Sequence, residues 1–547
     1  MSLPTRVPPT ATPDTAPEDF PFEWLEPRDA ELTWEWDDMH MPQALTPLAG
    51  DYVLLMTVGF GYGYERLELP IEIKSRIWNG YAYFTADIPL PDAEHEGMWR
   101  QRSVRARQQI ALTHDYWIRR LDEIRAIYAD VAAIPVEDLS GPAMADAWAL
   151  AWLRLERPWR VHFYVIRGPY QVLEDLADLY ESIVEDAAPG DGLALIGGGA
   201  DELQAVETEL EALVGMLRTT PELMLRFPSG DDVVGTLAAR AEAAPFLTAF
   251  DAFLARHGHL GQSWDDLAEA SWVEAPDLLM AEIAKRAAEP PGTTAAARRA
   301  ALAERAETLA ARARERLADD PERARTFEAT LEAARRIGPI TETHNYWIDR
   351  MVQSLLRRLA MRVGSRLVRD DVITAQADVL YLHVDEITEL LRKPTNRHGL
   401  VSERRLDHAY WAARRPPRQL GKPSEDSGGD RFDGVRIAST DRNEVRGIGA
   451  SVGLARGPAR VVLDQATFGA VRPGDIIVCM SSNPSWVPLF AIAGGLVTDT
   501  GGVLSHAGVV AREFALPAVV GTGDGTTRIA DGRIVELDGS TGVVRLL

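Results

Sequence analysis

A chain of 547 residues is too long for one compact core, and 46% hydrophobic with 26% charged residues is an ordinary globular balance, so several folded domains are expected. A formal net charge of -24 repels polyanions, which excludes nucleic acid and anionic membrane as expected partners. The single cysteine, Cys479, excludes an internal disulfide framework and any cysteine-built zinc or iron–sulfur site, and it suits a reducing compartment, so a cytoplasmic location is expected.

Residues 1–19 are rich in Pro and Thr and lack an apolar run, so they read as a disordered lead-in rather than a signal or a span. Residues 20–48 carry Trp24, Trp34 and Trp36 among acids, then Pro42 and Pro47, which predicts an extended, partly buried segment. Residues 51–58 and 71–84 read as short β-runs, with Gly59, Gly61 and Gly63 as a turn between aromatics. From about residue 98 to 390 apolar residues recur at three- and four-residue spacing amid Ala, Leu, Glu and Arg, the pattern of amphipathic helices. Breaks are expected at Ala188-Pro189-Gly190 through Gly199 and at Pro290-Pro291-Gly292. Residues 295–336 alternate Arg and Glu with Ala and Leu, as in an exposed helical hairpin.

The expected architecture is therefore a mostly α-helical body with a small β portion over residues 20–413, a Pro- and Gly-rich linker over 414–433, and a C-terminal α/β domain over 434–547. Short Val/Ile runs punctuated by glycine mark that last domain.

The chemistry-bearing stretch is Thr498-Asp499-Thr500-Gly501-Gly502-Val503-Leu504-Ser505-His506, continuing to Arg512 and Glu513. A strand ending near Thr498 runs through paired glycines into a helix whose first turn holds Ser505 and His506. Such a start aims backbone N–H groups and a positive dipole end at one spot, where a dianion is stabilised. An imidazole there is nucleophilic toward phosphorus, while Thr500, the amides of Gly501 and Gly502, Ser505 and Arg512 are placed to hold phosphoryl oxygens. The competing reading is a capping Ser beside an incidental His.

With Gly447-Ile448-Gly449-Ala450-Ser451-Val452-Gly453 before it and Pro517-Ala518-Val519-Val520-Gly521 after it, this segment resembles the phosphohistidine swivelling domain of the phosphoenolpyruvate-utilising enzymes, over about residues 446–547. The resemblance implies that His506 is phosphorylated and ferries the group between two sites. It also implies a donor. The four lysines, Lys74, Lys285, Lys393 and Lys422, lie in no glycine-rich cradle, and no G-x-x-x-x-G-K-[ST] loop occurs. ATP and Mg are therefore expected on a partner ATP-grasp subunit.

Three stretches of the body look like the substrate domain of rifamycin phosphotransferases and of the substrate-binding subunit of phenylphosphate synthase. They are Trp36-Asp37-Asp38-Met39-His40, His257-Gly258-His259, and Glu342-Thr343-His344-Asn345-Tyr346. A phenol, with a pKa of about 10, needs only a histidine-strength base to become a phosphoryl acceptor. His344 is the first candidate for that base, because Glu342 and Asn345 beside it are placed to orient its ring, and His259 is the second. Trp36, Asp38, His40 and Tyr346 are expected to bind substrate, and no metal site is expected. The expected function is transfer of a phosphoryl group from His506 to a small phenolic compound such as hydroxyacetophenone or acetovanillone. The alternatives are a rifamycin-type antibiotic phosphotransferase component and a phosphocarrier or regulatory module with no small-molecule acceptor.

Overall fold

The computed structural model describes residues 19–38, 40–188, 190–199, 202–220, 222–223, 232–261, 267–288, 294–423, 443–463, 465–482, 486–503 and 505–547. The lead-in over 1–18, the Pro290-Pro291-Gly292 break and the part of the expected linker over 424–433 lie outside these residues. The chain divides into two compact units. The first comprises Met1–Gly168, Trp264–Glu269 and Trp347–Gly428, and the second comprises Pro169–Ser263, Ala270–Tyr346 and Gly429–Leu547. The helical body thus falls into two parts, one of which groups with the C-terminal domain.

In the first unit a four-stranded antiparallel sheet is built from β1 (Thr33–Trp36), β2 (Glu72–Trp78), β3 (Tyr81–Asp87) and β4 (Gln419–Gly421), in the order β2-β3-β1-β4. The turn between β2 and β3 is Asn79-Gly80, both at positive φ, the pairing a tight two-residue hairpin requires. Strand β4 lies inside the stretch read as linker, and residues 419–421 pair with β1 through Trp34 and its neighbours. One face of the sheet is sealed by Phe22, Trp24, Trp34 and Trp78, whose rings meet edge-on or tilted at 4.7–5.4 Å.

The expected strand at 51–58 is not a strand. Residues Pro47–Arg66 form one helix, with Thr46 before it and Gly59, Gly61 and Gly63 inside it rather than in a turn. Close packing explains this departure from local propensity. A Cβ at Gly59 would sit 2.5 Å from the backbone of Trp159, and one at Gly63 would sit 2.6 Å from the carbonyl of Phe163. Those partners lie on the helix Gly141–Val165, so glycine lets two helix backbones touch. Gly61 faces open space.

The second unit contains the helices Glu202–Arg218, Ala244–His257 and Pro276–Ala288, and the expected hairpin, Ala295–Arg316 with Pro321–Ile337. Each helix of the hairpin buries only a narrow stripe, Ala306, Leu309, Ala310 and Ala313 on one and Phe327, Leu331, Ala334 and Ile337 on the other. A short helix Ile340–His344 follows and runs into a π-helical turn, Asn345–Arg350.

The α/β part of this unit holds an eight-stranded mixed sheet, whose outer strands are β5 (Glu444–Arg446), β6 (Ile448–Ser451), β11 (Ile534–Asp538) and β12 (Val543–Leu546), with β5, β12 and β11 on one side of a four-stranded centre and β6 on the other. Its parallel centre is β7 (Leu454–Val462), β8 (Ile476–Cys479), β9 (Gly495–Thr498) and β10 (Ala518–Val520). Strand β8 is buried on both sides. Ile477 and Cys479 face one apolar cluster with Leu496, Val510 and Phe490, and Ile476 and Val478 face the other with Val497, Val535 and Leu537. The Cys479 thiol is fully enclosed, and burial pushes its pKa well up.

Candidate active site

Strand β9 ends at Thr498, and the loop that follows is pinned from below by Asp499. The buried Asp499 carboxylate accepts hydrogen bonds from the Thr522 hydroxyl at 3.0 Å and from the amide and hydroxyl of Thr526. Loss of hydration raises its pKa, and those donors offset part of the rise. The Thr500 amide and hydroxyl both donate to the Met480 carbonyl, each at 3.0 Å, which ties the loop to the end of β8. Gly501 then turns with φ +95°, and a Cβ there would lie 2.7 Å from the Ser505 hydroxyl oxygen. The turn therefore demands glycine.

Ser505 is the N-cap of the helix His506–Glu513. Its hydroxyl donates to the Gly502 carbonyl at 2.7 Å and accepts from the Gly508 amide at 3.3 Å. Arg512, one turn and a half along, donates to the carbonyls of Ala450 at 3.0 Å and Val503 at 2.6 Å. Its enclosure pushes its pKa down to about 10, against the opposing pull of Glu513 and Glu342. Thr500, Gly501 and Gly502 thus lie in the loop before His506, with Ser505 capping and Arg512 lying on the helix that carries it. In this arrangement the side chains of Thr500, Ser505 and Arg512 are bonded to carbonyls that shape the loop.

His506 occupies the first helical position. Its Nδ1 lies 2.9 Å from Oε2 of Glu342, and the two side chains are 6% and 4% exposed. Glu342 belongs to the short helix Ile340–His344, whose residues are all buried. At the other end of the histidine-bearing helix the Arg298 guanidinium lies 4.9 Å from the centre of the Phe514 ring. Arg298 is in turn held by Glu207 at 3.5 Å and Glu211 at 3.6 Å. A cleft of about 80 Å³ opens beside the pair, with Val509, Arg512 and Ser451 on one wall and Gly198, Arg305 and Glu342 on the other.

The remaining expected residues are distributed as follows. Glu342 orients His506 and not His344. The His344 ring, fully buried, instead donates from Nδ1 to the Ile340 carbonyl at 2.6 Å, and Asn345 donates to the Thr341 carbonyl at 3.4 Å. His259 is buried with its ring edge-on to Tyr346 at 4.5 Å, and Tyr346 donates to the Arg256 carbonyl and meets His257 Nδ1 at 2.8 Å. Trp36, Asp38 and His40 belong to the first unit. There the Trp36 indole donates to the Met41 carbonyl, Asp38 is buried, and His40 faces Asp37 at 3.0 Å, whose carboxylate also accepts the His40 amide.

Glu342 is the site residue that sequence reasoning assigned to the wrong partner. Asp499 was quoted without a role, although an acid directly after a buried strand and before Thr-Gly-Gly is a signal for a loop anchor.

The site is thus a strand-to-helix turn with a histidine at the first helical position. The mobile-domain model of the PEP-utilising enzymes matches residues 471–542, and the model of the rifampicin phosphotransferase fourth domain matches residues 176–342. Residues 471–542 are thus similar to that mobile domain, and residues 176–342 to that fourth domain. Among curated relatives, a chondramide synthase of Chondromyces crocatus is 31% identical over 97% of this chain and 14% of its own length. The phosphotransferase YvkC of Bacillus subtilis is 28% identical over 71% of this chain and 47% of its own. A rifampicin phosphotransferase of a Streptomyces species is 32% identical over 62% of this chain and 39% of its own. The chain spans less than half the length of each of these relatives.

Proposed function

We propose that this chain carries a phosphoryl group on His506 and delivers it to the hydroxyl of a small molecule. The observation that carries the reading is the imidazole at the helix start, with its Nδ1 against Glu342 at 2.9 Å. With Nδ1 committed to the carboxylate, Nε2 is the nitrogen that bonds phosphorus. The group comes from ATP with Mg, bound by an ATP-grasp partner, as the family resemblance implies.

The acceptor is a phenolic hydroxyl, of the kind borne by hydroxyphenyl ketones such as hydroxyacetophenone or acetovanillone. A phenol needs only a modest base. His344 is the first candidate for that role and His259 the second; the Nδ1 of His344 donates to the Ile340 carbonyl, which orients its ring. A second reading is an ansamycin hydroxyl, favoured by the fourth-domain match and by the rifampicin phosphotransferase relative. The cleft of about 80 Å³ beside Glu342 favours the smaller ligand, since drug-sized ligands occupy pockets of roughly 300–1,000 Å³.

The test mixes the chain with an ATP-grasp partner, labelled ATP, a panel of phenols and rifampicin, and compares it with His506→Ala. Label is expected on His506 and then on a phenol, with neither in the variant. Aryl phosphate formed by His506→Ala would falsify the carrier role, and label passing to rifampicin alone would select the second reading.

A further inference from the structure

Glu342 is the last residue of the matched fourth domain, and His506 belongs to the matched mobile domain. The contact joins the histidine-bearing helix to the helix Ile340–His344 within one compact unit, and for a carrier that moves it is made on docking. Both side chains are sealed from water, 6% and 4% exposed, so the carboxylate acts on the ring with little screening. A carboxylate 2.9 Å from Nδ1 favours the proton on that nitrogen.

We propose that Glu342 is a positioning residue for the discharge half of the reaction: by holding the proton on Nδ1 of phosphorylated His506, it makes neutral imidazole the leaving group and ties phosphoryl release to docking. This rests on the reading of His506 as the carrier. In the docked, loaded state phosphorus is bonded to Nε2 and the proton stays on Nδ1. As the acceptor oxygen bonds to phosphorus, the P–Nε2 bond breaks and its electron pair returns to Nε2. The acceptor's hydroxyl proton passes to the base, His344 in the reading above, and the ring of His506 is left neutral with Nδ1–H still donated to Glu342. Without the Nδ1 proton the departing group would be an imidazolate anion, a far poorer leaving group.

The experiment loads the full chain at His506 with phosphoramidate, a small phosphoryl donor. Loss of the adduct is followed by intact mass at neutral pH, with and without 4-hydroxyacetophenone. Glu342→Gln is expected to carry the adduct but to discharge it about ten- to a hundredfold more slowly, as loss of a charge-assisted hydrogen bond predicts. Glu342→Asp is expected to recover part of that rate, which a merely structural role would not produce. An adduct on Glu342→Gln that decays at the native rate overturns the role of Glu342 alone. Absence of any adduct on His506 in the native chain overturns the carrier reading and this proposal with it.

Discussion

Nδ1 of His506 and Oε2 of Glu342 meet at 2.9 Å across 164 positions of sequence. A pair buried this deeply is costly to break from one side, because the remaining group keeps its desolvation cost and loses its partner. His506→Ala is accordingly expected to lower the unfolding free energy by about 3 kcal/mol. The double variant His506→Ala with Glu342→Gln is expected to regain part of that loss. Thermal unfolding of the two singles and the double closes the cycle, and strict additivity would mean that the contact contributes nothing.

The histidine-bearing helix is held at its far end by Arg298 against Phe514, an aromatic contact of a kind that contributes about 1 kcal/mol. Arg298→Ala is expected to raise amide exchange in the helix His506–Glu513 several-fold while leaving strands β8 and β9 protected. Unchanged exchange in the helix would show that the Glu342 end alone secures it.

Ser505→Ala removes the cap of that same helix. A loss of about 1 kcal/mol in stability is expected, the usual cost of a lost serine cap. Because the hydroxyl also donates to Gly502, the turn before His506 loosens, and labelling of His506 by ATP and an ATP-grasp partner is expected to slow. Native labelling kinetics in a destabilised variant would separate the cap from the chemistry.

Two neighbouring glycines in the helix Pro47–Arg66 are expected to respond oppositely. Gly59→Ala drives a Cβ to within 2.5 Å of the Trp159 backbone and is expected to cost about 1–3 kcal/mol. Gly61→Ala meets nothing within 4 Å and is expected to stabilise by about 0.5–1 kcal/mol through helix propensity. Melting temperatures shifted in the same direction for both would contradict the close crossing.

The first unit also holds an acid-sensitive group. His162 is pushed down to about 3 by burial, with the positive charge of His40 and Arg167 adding to the effect and outweighing Asp349 at 3.2 Å. The unfolded chain takes up this proton near pH 6.5 and the folded chain only near 3. Stability is therefore full above about pH 6.5 and is lost progressively as pH falls toward 3, by at most about 5 kcal/mol. His162→Gln is expected to flatten that acid slope in denaturant titrations, and an unaltered slope would assign it to other groups.

Local signals marked the phosphohistidine loop in the sequence. A buried strand, two glycines, a capping serine and a helix pattern lie within nineteen residues, and each is a short-range signal. The helical hairpin over 295–336 was legible for the same reason. Residues 51–58 misled because Tyr52, Val53 and Val58 favour strands and three glycines suggest a turn. Only the backbone of Trp159, about a hundred residues away, explains why glycine belongs inside a helix there. Glu342 misled through proximity, since His344 is two residues away and His506 is 164, and no periodicity records a long-range ion pair.

The sequestered thiol of Cys479 makes this chain convenient for optical work. Because the native sulfur is sealed within β8 and kept protonated, maleimide dyes attached at introduced surface cysteines would report from chosen positions without background, and native Cys479 need not be removed first. A donor and acceptor dye placed on the helix His506–Glu513 and on the hairpin Ala295–Ile337 would then show, one molecule at a time, whether the two part company.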